Sequence, residues 1–177
     1  MDRGDETAHL KKVSEQVDSS DSGHIRVAVR VRPPNQRERE QEGCSGAVCV
    51  SVPVSQSSSC SVISKDIKSD GESFSFSFDI AFGMECTQLD VFEAIGVDIV
   101  HYAFQGFNAS LFAYGQTSSG KSFSMMGQPG TELAGLIPRV ARLLFLSLKS
   151  AEGRESMVEA SYMEIYNEKV KIERLGT

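Results

Sequence analysis

Two segments in the first half of the chain alternate hydrophobic side chains with polar or small ones. Residues 25–32 alternate isoleucine or valine with arginine or alanine before Pro33, and residues 73–78 alternate serine with phenylalanine. A period of two is typical of a strand with one apolar face. We therefore predict a strand in each segment, and we expect the phenylalanines to pack in the core rather than stack on a cofactor. Short alternating runs within residues 43–73 predict small peripheral strands.

Later segments change to a helical period. Hydrophobic residues recur every three or four positions from Thr87, a good N-cap residue, to Gln105, and Gly106 follows. These features predict a helix. Pro138 stands where the first turn of another amphipathic helix is expected, and residues 158–166 predict a further strand.

A glycine-rich segment, Gly115–Ser122, fits the phosphate-binding pattern G-x-x-x-x-G-K-[ST]. In this pattern successive backbone N–H groups surround the phosphates of a nucleotide. Gly115 and Gly120 permit the tight backbone path. The ammonium group of Lys121 can reach the β- and γ-phosphates, and the hydroxyl of Ser122 can ligate Mg²⁺.

The sequence around this loop has the order that the pattern requires. The apolar run 108–114 predicts a buried strand before the loop, and residues 121–126 predict a short helix after it, ended by Gly127. The alternative is a Gly/Ser-rich surface turn. The alternation of strands and helices predicts an α/β layered fold with a mostly parallel central sheet and flanking helices, and nucleotide at the carboxyl ends of the strands.

Length, composition and charge narrow the function classes. A chain of 177 residues suggests one domain, and its net charge of −6 argues against a nucleic-acid binder. We find no membrane segment, since no apolar run is long enough to span a bilayer. Residues 1–22 are polar and predict a disordered lead rather than a signal peptide. The 4 cysteines show no metal-binding spacing, so we expect reduced thiols and no zinc.

Five ordered landmarks of the sequence resemble those of kinesin motor domains. They are Ile25–Pro33 with its R-x-R-P signature, Phe76–Phe82, the region around the loop (Phe104–Asn108, Ala113–Thr117 and Ser124–Gly127), Leu136–Arg139 and Tyr162–Glu168. The resemblance implies a P-loop NTPase-type fold over residues 23–171, ATP and Mg²⁺ as cofactors, microtubules as partner, and a place in the cytoplasm on the cytoskeleton. The implied function is ATP-driven movement along microtubules.

The resemblance also implies which residues hold the nucleotide. Arg30 and Pro33 match positions that pack against the adenine, and Phe123 matches a position where a ring lies beside the base. For Phe123, simple packing of the helix against the core is an equally open alternative. The complete candidate set is Arg30, Pro33, Gly115, Gln116, Thr117, Ser118, Ser119, Gly120, Lys121, Ser122 and Phe123, with Ser122 also the metal ligand.

Two switch motifs of the family are not found in the sequence. Glu132–Gly135 imitates the D-L-A-G of the second switch, but a turn at 128–131 precedes it instead of an apolar strand, so we expect a coincidental match. In kinesins both switches lie downstream of the strand that corresponds to Tyr162–Glu168. We therefore expect this chain to be the N-terminal portion of a motor domain with an incomplete second half, and residues 172–177 to be a divergent tail.

These absences leave the activity of the 177-residue chain open, and we assign no catalytic residue. Two alternatives to a motor fragment remain: a truncated non-catalytic nucleotide-binding or regulatory protein, and an unrelated P-loop nucleotide kinase. In such kinases the loop usually follows the first strand, near the chain start. An uncovered sheet edge also leads us to expect marginal stability, with aggregation or association with chaperones.

Overall fold

The computed structural model describes residues 25–40, 50–52, 60–65, 73–150 and 155–175. The predicted lead at 1–22 lies outside these residues, as do parts of the segment 43–73 and the last two residues of the predicted tail. The chain forms two compact units, residues 1–143 and residues 144–177.

The first strand, β1 (Ala28–Arg30), pairs in parallel with β5 (Ile80–Phe82). The predicted strand at 25–32 is therefore confirmed, although it is shorter than its alternating pattern. A carboxylate oxygen of Asp79 accepts a hydrogen bond of 2.7 Å from the backbone N–H of Val27. The backbone carbonyl of Val27 in turn accepts hydrogen bonds from the backbone N–H groups of Asp79 and Ile80. A short helix, α1 (Gln36–Glu40), follows the strand.

A second sheet contains β2 (Val50–Ser51), β3 (Cys60–Lys65) and β4 (Ser73–Phe78), all antiparallel. The predicted phenylalanine-rich strand is thus confirmed. The expected core position is wrong for Phe76, which is 53% exposed, while Phe82 in β5 is 8% exposed. The period of two predicts correctly which residues share a face of β4, but it does not reveal whether another element covers that face.

The predicted helix after Thr87 is confirmed. It runs through α2 (Gln88–Val91), a π-helical segment (Phe92–Gly96) and α3 (Val97–Phe104). A capping box joins Thr87 to Asp90 at its start. Of the seven buried apolar side chains among the described residues, this helix supplies four, including Phe92, which is completely buried. At Gly96 a Cβ atom would lie 2.5 Å from the Phe92 ring, so the helix accommodates this ring only beside a glycine.

The buried strand predicted at 108–114 is not formed. The segment has no regular secondary structure, and neither β1 nor β5 pairs with it. Phe112 is 88% exposed and Tyr114 fully exposed. An apolar run becomes a strand only where neighbouring strands supply hydrogen bonds. Within the described residues the parallel pairing is confined to β1 and β5.

Two helices follow the glycine-rich loop, as predicted: α4 (Lys121–Met125) and α5 (Leu136–Ser150). The segment between them is a tight turn in which Gly127 bridges to Ala134. In the first half of α5, the apolar side chains of Leu136 and Leu143 are buried. No helix in the described part of the chain is long and apolar enough to cross a membrane.

The second unit contains a β-hairpin of β6 (Ala160–Tyr166) and β7 (Lys169–Leu175). The strand predicted at 158–166 is confirmed. Asn167 and Glu168 form the two-residue turn, with φ angles of 49° and 61°. Positive φ at both central residues gives the turn a twist that matches the flanking strands. The second strand includes residues 172–175 of the predicted tail.

Candidate nucleotide-binding site

The glycine-rich loop has an irregular backbone that turns directly into α4. Gly120 has a φ angle of 100° and precedes the first helical residue, Lys121. Ser118 also has a positive φ angle, of 66°, and Gly115 has one of 151°. Left-handed conformations of this kind are inexpensive for glycine. They explain why glycines stand at the two ends of the loop.

The side chain of Lys121 turns back into the loop. Its Nζ atom donates hydrogen bonds to the carbonyl oxygens of Gly115 at 2.7 Å and Gln116 at 2.8 Å. Neither ion pair found among the described residues involves Lys121. The ammonium charge is therefore held by neutral carbonyl dipoles, which an anionic ligand can replace. This arrangement fits the phosphate groups of a nucleotide.

A charged pair next to β1 also contacts the loop. The Nε atom of Arg32 donates to the carbonyl oxygen of Ser118 at 2.9 Å. Its two terminal nitrogens donate to the carboxylate of Glu38 at 2.7 and 2.5 Å. The arginine hydrogen bonds, with a backbone hydrogen bond from Asn35, lower the pKa of Glu38 to about 2. Neither Arg32 nor Glu38 was predicted from the sequence to lie at the site.

Arg30 lies at the edge of the same region. Its guanidinium carbon is 5.3 Å from the centre of the Phe123 ring, within the range of a cation–π contact. The guanidinium also donates to the hydroxyl of Ser124 at 3.0 Å and to the carbonyl oxygen of Cys86 at 3.2 Å. Burial lowers the pKa of Arg30. Two of the predicted base-side residues therefore contact each other directly.

Gln88, the first residue of α2, completes this cluster and was missed by the sequence analysis. It is only 3% exposed, and its side-chain amide contacts Arg30 and the backbone of Phe123. A glutamine at the start of an amphipathic helix is common on surfaces. The sequence therefore contained no signal that this side chain is buried.

The remaining predicted residues are more exposed. Gln116, Thr117, Ser118, Ser122 and Pro33 have exposed positions, while Ser119 is half-buried. Within α4 the carbonyl oxygen of Ser122 accepts a hydrogen bond from the backbone N–H of Met126 at 2.9 Å. The structure thus gathers the loop, Lys121, Arg30 and Phe123 into one region of the first unit.

The segment Glu132–Gly135 is part of the turn between α4 and α5. The carbonyl oxygens of Glu132 and Ala134 each accept a hydrogen bond of 2.9 Å from the buried side chain of Arg139. Between the end of α4 and Glu132 the backbone forms turns and the bridge at Gly127, so no strand leads into the segment. The segment thus lies in a turn, which agrees with the interpretation that its resemblance to a second switch is coincidental.

The loop and the arrangement of strands and helices around it define a P-loop NTPase-type fold. The chain belongs to the kinesin motor domain family, since the model of that family, described as "Kinesin motor domain", matches residues 30–171. This membership excludes an unrelated nucleotide kinase. Nucleotide binding is a property of the family.

Curated relatives and solved structures agree with this assignment. Kinesin-like protein KIF13A of Homo sapiens is 44% identical over 162 residues, which cover 83% of this chain and 8% of that protein. Kinesin-like protein unc-104 of Caenorhabditis elegans is 38% identical over 157 residues, which cover 83% of this chain and 9% of that protein. The chain therefore spans less than a tenth of these relatives.

Solved kinesin structures give the same fold. The structure of a fast kinesin, analysed for its ATPase mechanism and interactions with microtubules, has a TM-score of 0.73 and 35% identity, covering 87% of this chain and 42% of that one. The motor domain of Kar3 from Candida glabrata has a TM-score of 0.68 and 26% identity, covering 84% and 47%. The chain thus spans less than half of each solved chain.

Proposed function

We propose that residues 30–171 form the ATP-binding portion of a microtubule-based motor, whose activity is ATP-driven movement along microtubules. The position of Lys121 is the observation on which this proposal mainly rests. Its ammonium group lies inside a loop with glycines at both ends, and only backbone carbonyls among the described residues hold it there. A cationic group in such a loop binds the phosphates of a nucleotide.

The candidate residues fit Mg²⁺–ATP in three ways. Lys121 would neutralise charge on the β- and γ-phosphates, and backbone N–H groups of residues 115–120 would surround them. Ser122 would contribute its hydroxyl to the Mg²⁺ ion. Arg30, Pro33 and Phe123 would flank the adenine base. The bound nucleotide would supply the phosphoanhydride bond whose hydrolysis drives movement in a motor.

We propose microtubules as the partner and the cytoplasmic cytoskeleton as the location. Both proposals rest on membership of the kinesin family. Association with chaperones is a separate proposal, supported by the exposure of Phe112 and Tyr114 next to the loop. Exposed apolar surface favours association with other proteins where it is contiguous.

Titration with a fluorescent ATP analogue in the presence of Mg²⁺ tests the proposed binding. We expect Lys121→Ala to weaken binding by at least about a hundredfold, because it removes a charge-assisted contact to the phosphates. Lys149→Ala is the matched control, since Lys149 is an exposed lysine in the last turn of α5. Equal affinities of wild type and Lys121→Ala would contradict the proposal.

A further inference from the structure

Both the oxygen and the nitrogen of the Gln88 side-chain amide form hydrogen bonds within the first unit. Its Nε2 group donates to the carbonyl oxygens of Phe123 at 2.7 Å and Leu133 at 3.2 Å. Its Oε1 atom accepts a hydrogen bond of 2.8 Å from Arg30. One residue of α2 therefore connects the end of β1, the helix after the phosphate loop and the turn that follows that helix.

The neighbours of Gln88 fix the orientation of this amide. Carbonyl oxygens accept hydrogen bonds and cannot donate them, so Phe123 and Leu133 require the NH₂ side. Arginine only donates, so Arg30 requires the oxygen. Exchanging the oxygen and nitrogen of the amide would place the oxygen against the carbonyl oxygens of Phe123 and Leu133. It would also place the NH₂ group against the guanidinium of Arg30. Since the residue is 3% exposed, water offers little compensation for a lost partner.

Arg30 depends on this oxygen for its position. Its guanidinium is half-buried above the Phe123 ring, and its hydrogen bond of 2.8 Å to Gln88 is shorter than the one of 3.0 Å to Ser124. The backbone of Phe123 is held by the opposite side of the same amide. Gln88 thus fixes the position of the Arg30 guanidinium relative to Phe123.

We propose that Gln88 is a positioning residue that holds Arg30 against Phe123 and thereby determines how well the site binds the base of a nucleotide. The inference rests on the proposed function, in which Arg30 and Phe123 flank the base. A guanidinium and an aromatic ring are planar groups that stack on a planar base, and stacking depends on their relative placement. Phosphate binding depends instead on the loop and Lys121, and the hydrogen bonds of the Gln88 side chain go to Arg30, Phe123 and Leu133.

Calorimetric titration of the complete 177-residue chain with Mg²⁺–ATP and with Mg²⁺–tripolyphosphate tests this role. Tripolyphosphate carries the phosphates without a base. We expect Gln88→Met, which preserves the side-chain length, to weaken ATP binding about tenfold, because a buried charged group loses its acceptor. Tripolyphosphate binding should stay within about twofold of the wild type. The control Gln105→Met changes an exposed glutamine bonded to His101 and should leave both affinities unchanged.

A second variant separates positioning from a general loss of structure. Gln88→Glu keeps an acceptor for Arg30 and removes both donors to the backbone carbonyls. Because the acceptor for Arg30 remains and only the anchor of the Phe123 backbone is lost, we expect its ratio of ATP to tripolyphosphate affinity to fall less than in Gln88→Met. A ratio that falls as far as in Arg30→Leu would overturn the inference. In the Arg30→Leu background, Gln88→Met should have no further effect on the ratio.

The outcomes distinguish this inference from the proposed function. A wild-type chain that binds neither ligand overturns the proposed function, and the inference falls with it. A wild-type chain that binds both ligands, combined with a Gln88→Met variant whose two affinities fall by the same factor, overturns the inference alone. Selective loss of ATP affinity supports it.

Discussion

The side chain of Arg32 joins the end of the first strand to the phosphate loop through a hydrogen bond of 2.9 Å from its Nε atom to the carbonyl oxygen of Ser118. The other side of the guanidinium is occupied by the carboxylate of Glu38. Ser118 has a positive φ angle, a backbone conformation that costs free energy for a residue other than glycine. The hydrogen bond from Arg32 therefore stabilises a strained part of the loop. Arg32 is therefore an anchor for the loop backbone.

The titration of Glu38 tests this anchor. Its pKa is lowered from 4.5 to about 2, chiefly by the hydrogen bonds from Arg32. A carboxyl group with a lowered pKa stabilises the folded state above its unfolded pKa, and this contribution is lost as the pH falls from about 4.5 through 2. We expect Arg32→Ala to return the pKa towards 4.5, as measured by NMR of the carboxyl carbon. Arg37→Ala is the control and should leave it low. A Glu38 pKa that is unchanged in Arg32→Ala would contradict the contact.

The capping box at the start of α2 makes a second prediction. The Thr87 hydroxyl accepts from the backbone N–H of Asp90, and the Asp90 carboxylate accepts from the backbone N–H of Thr87 at 2.7 Å. We expect Thr87→Ala to lower the free energy of unfolding by about 1 kcal/mol, measured by urea denaturation. Thr87→Ser keeps the hydroxyl and should cost much less. Equal losses in the two variants would show that the cap does not stabilise the helix.

Asp90 adds a pH dependence to the same cap. Hydrogen bonds from the side chain and backbone of Thr87 lower the pKa of Asp90. The cap should therefore contribute fully above pH of about 4 and lose its contribution at lower pH, as the carboxylate is protonated. We expect the unfolding free energy of Asp90→Asn to vary less between pH 5 and pH 3 than that of the wild type. An identical pH dependence would contradict this assignment.

The sequence predicted local elements well because their signals are local. The cap at Thr87, the glycine at 106 and the period of the apolar residues define the helix that ends at Phe104. The failure at 108–114 has a different cause. A buried strand requires neighbouring strands and a covering layer, and neither is encoded in the apolar run itself. The same limit explains the exposure of Phe76.

In the candidate site, too, the residues with a local sequence signal were predicted, and those that only the fold brings together were not. The loop pattern identified Gly115, Gly120 and Lys121 from eight consecutive positions, because the chemistry of phosphate binding is concentrated in one segment. Gln88 contacts Phe123, which is 35 residues away in the sequence, and Arg32 contacts Ser118, which is 86 residues away. Only the fold brings such residues together, so their identity could not be derived from spacing.

The turn between α4 and α5 makes a third prediction. Gly127 has a φ angle of 60°, and a Cβ atom there would lie 2.1 Å from the carbonyl oxygen of Leu133. Gly130 also has a positive φ angle, of 82°, but a Cβ atom would meet nothing within 4 Å. We expect Gly127→Ala to cost at least about 2 kcal/mol of unfolding free energy, and Gly130→Ala about 1 kcal/mol. The difference isolates the steric clash, and equal losses in urea denaturation would contradict it.

The hairpin of β6 and β7 presents one apolar face. In its register Met163 pairs with Ile172 and Ile165 pairs with Val170, so these four side chains lie on the same side of the two strands. Their exposed fractions range from 55% to 69%. On the opposite face Glu164 pairs with Lys171. Exposed and contiguous apolar side chains of this kind favour association between molecules.

We therefore expect the 177-residue chain to associate with increasing concentration, as measured by sedimentation velocity. Ile165→Lys should shift the distribution towards monomer, because it places a charge at the centre of the apolar face. Tyr162→Lys introduces the same charge on the opposite face, where Tyr162 pairs with Glu173, and should change association much less. If both variants reduce association equally, net charge rather than the apolar face is responsible. A wild-type chain that stays monomeric at all concentrations would show that the exposed face does not drive association.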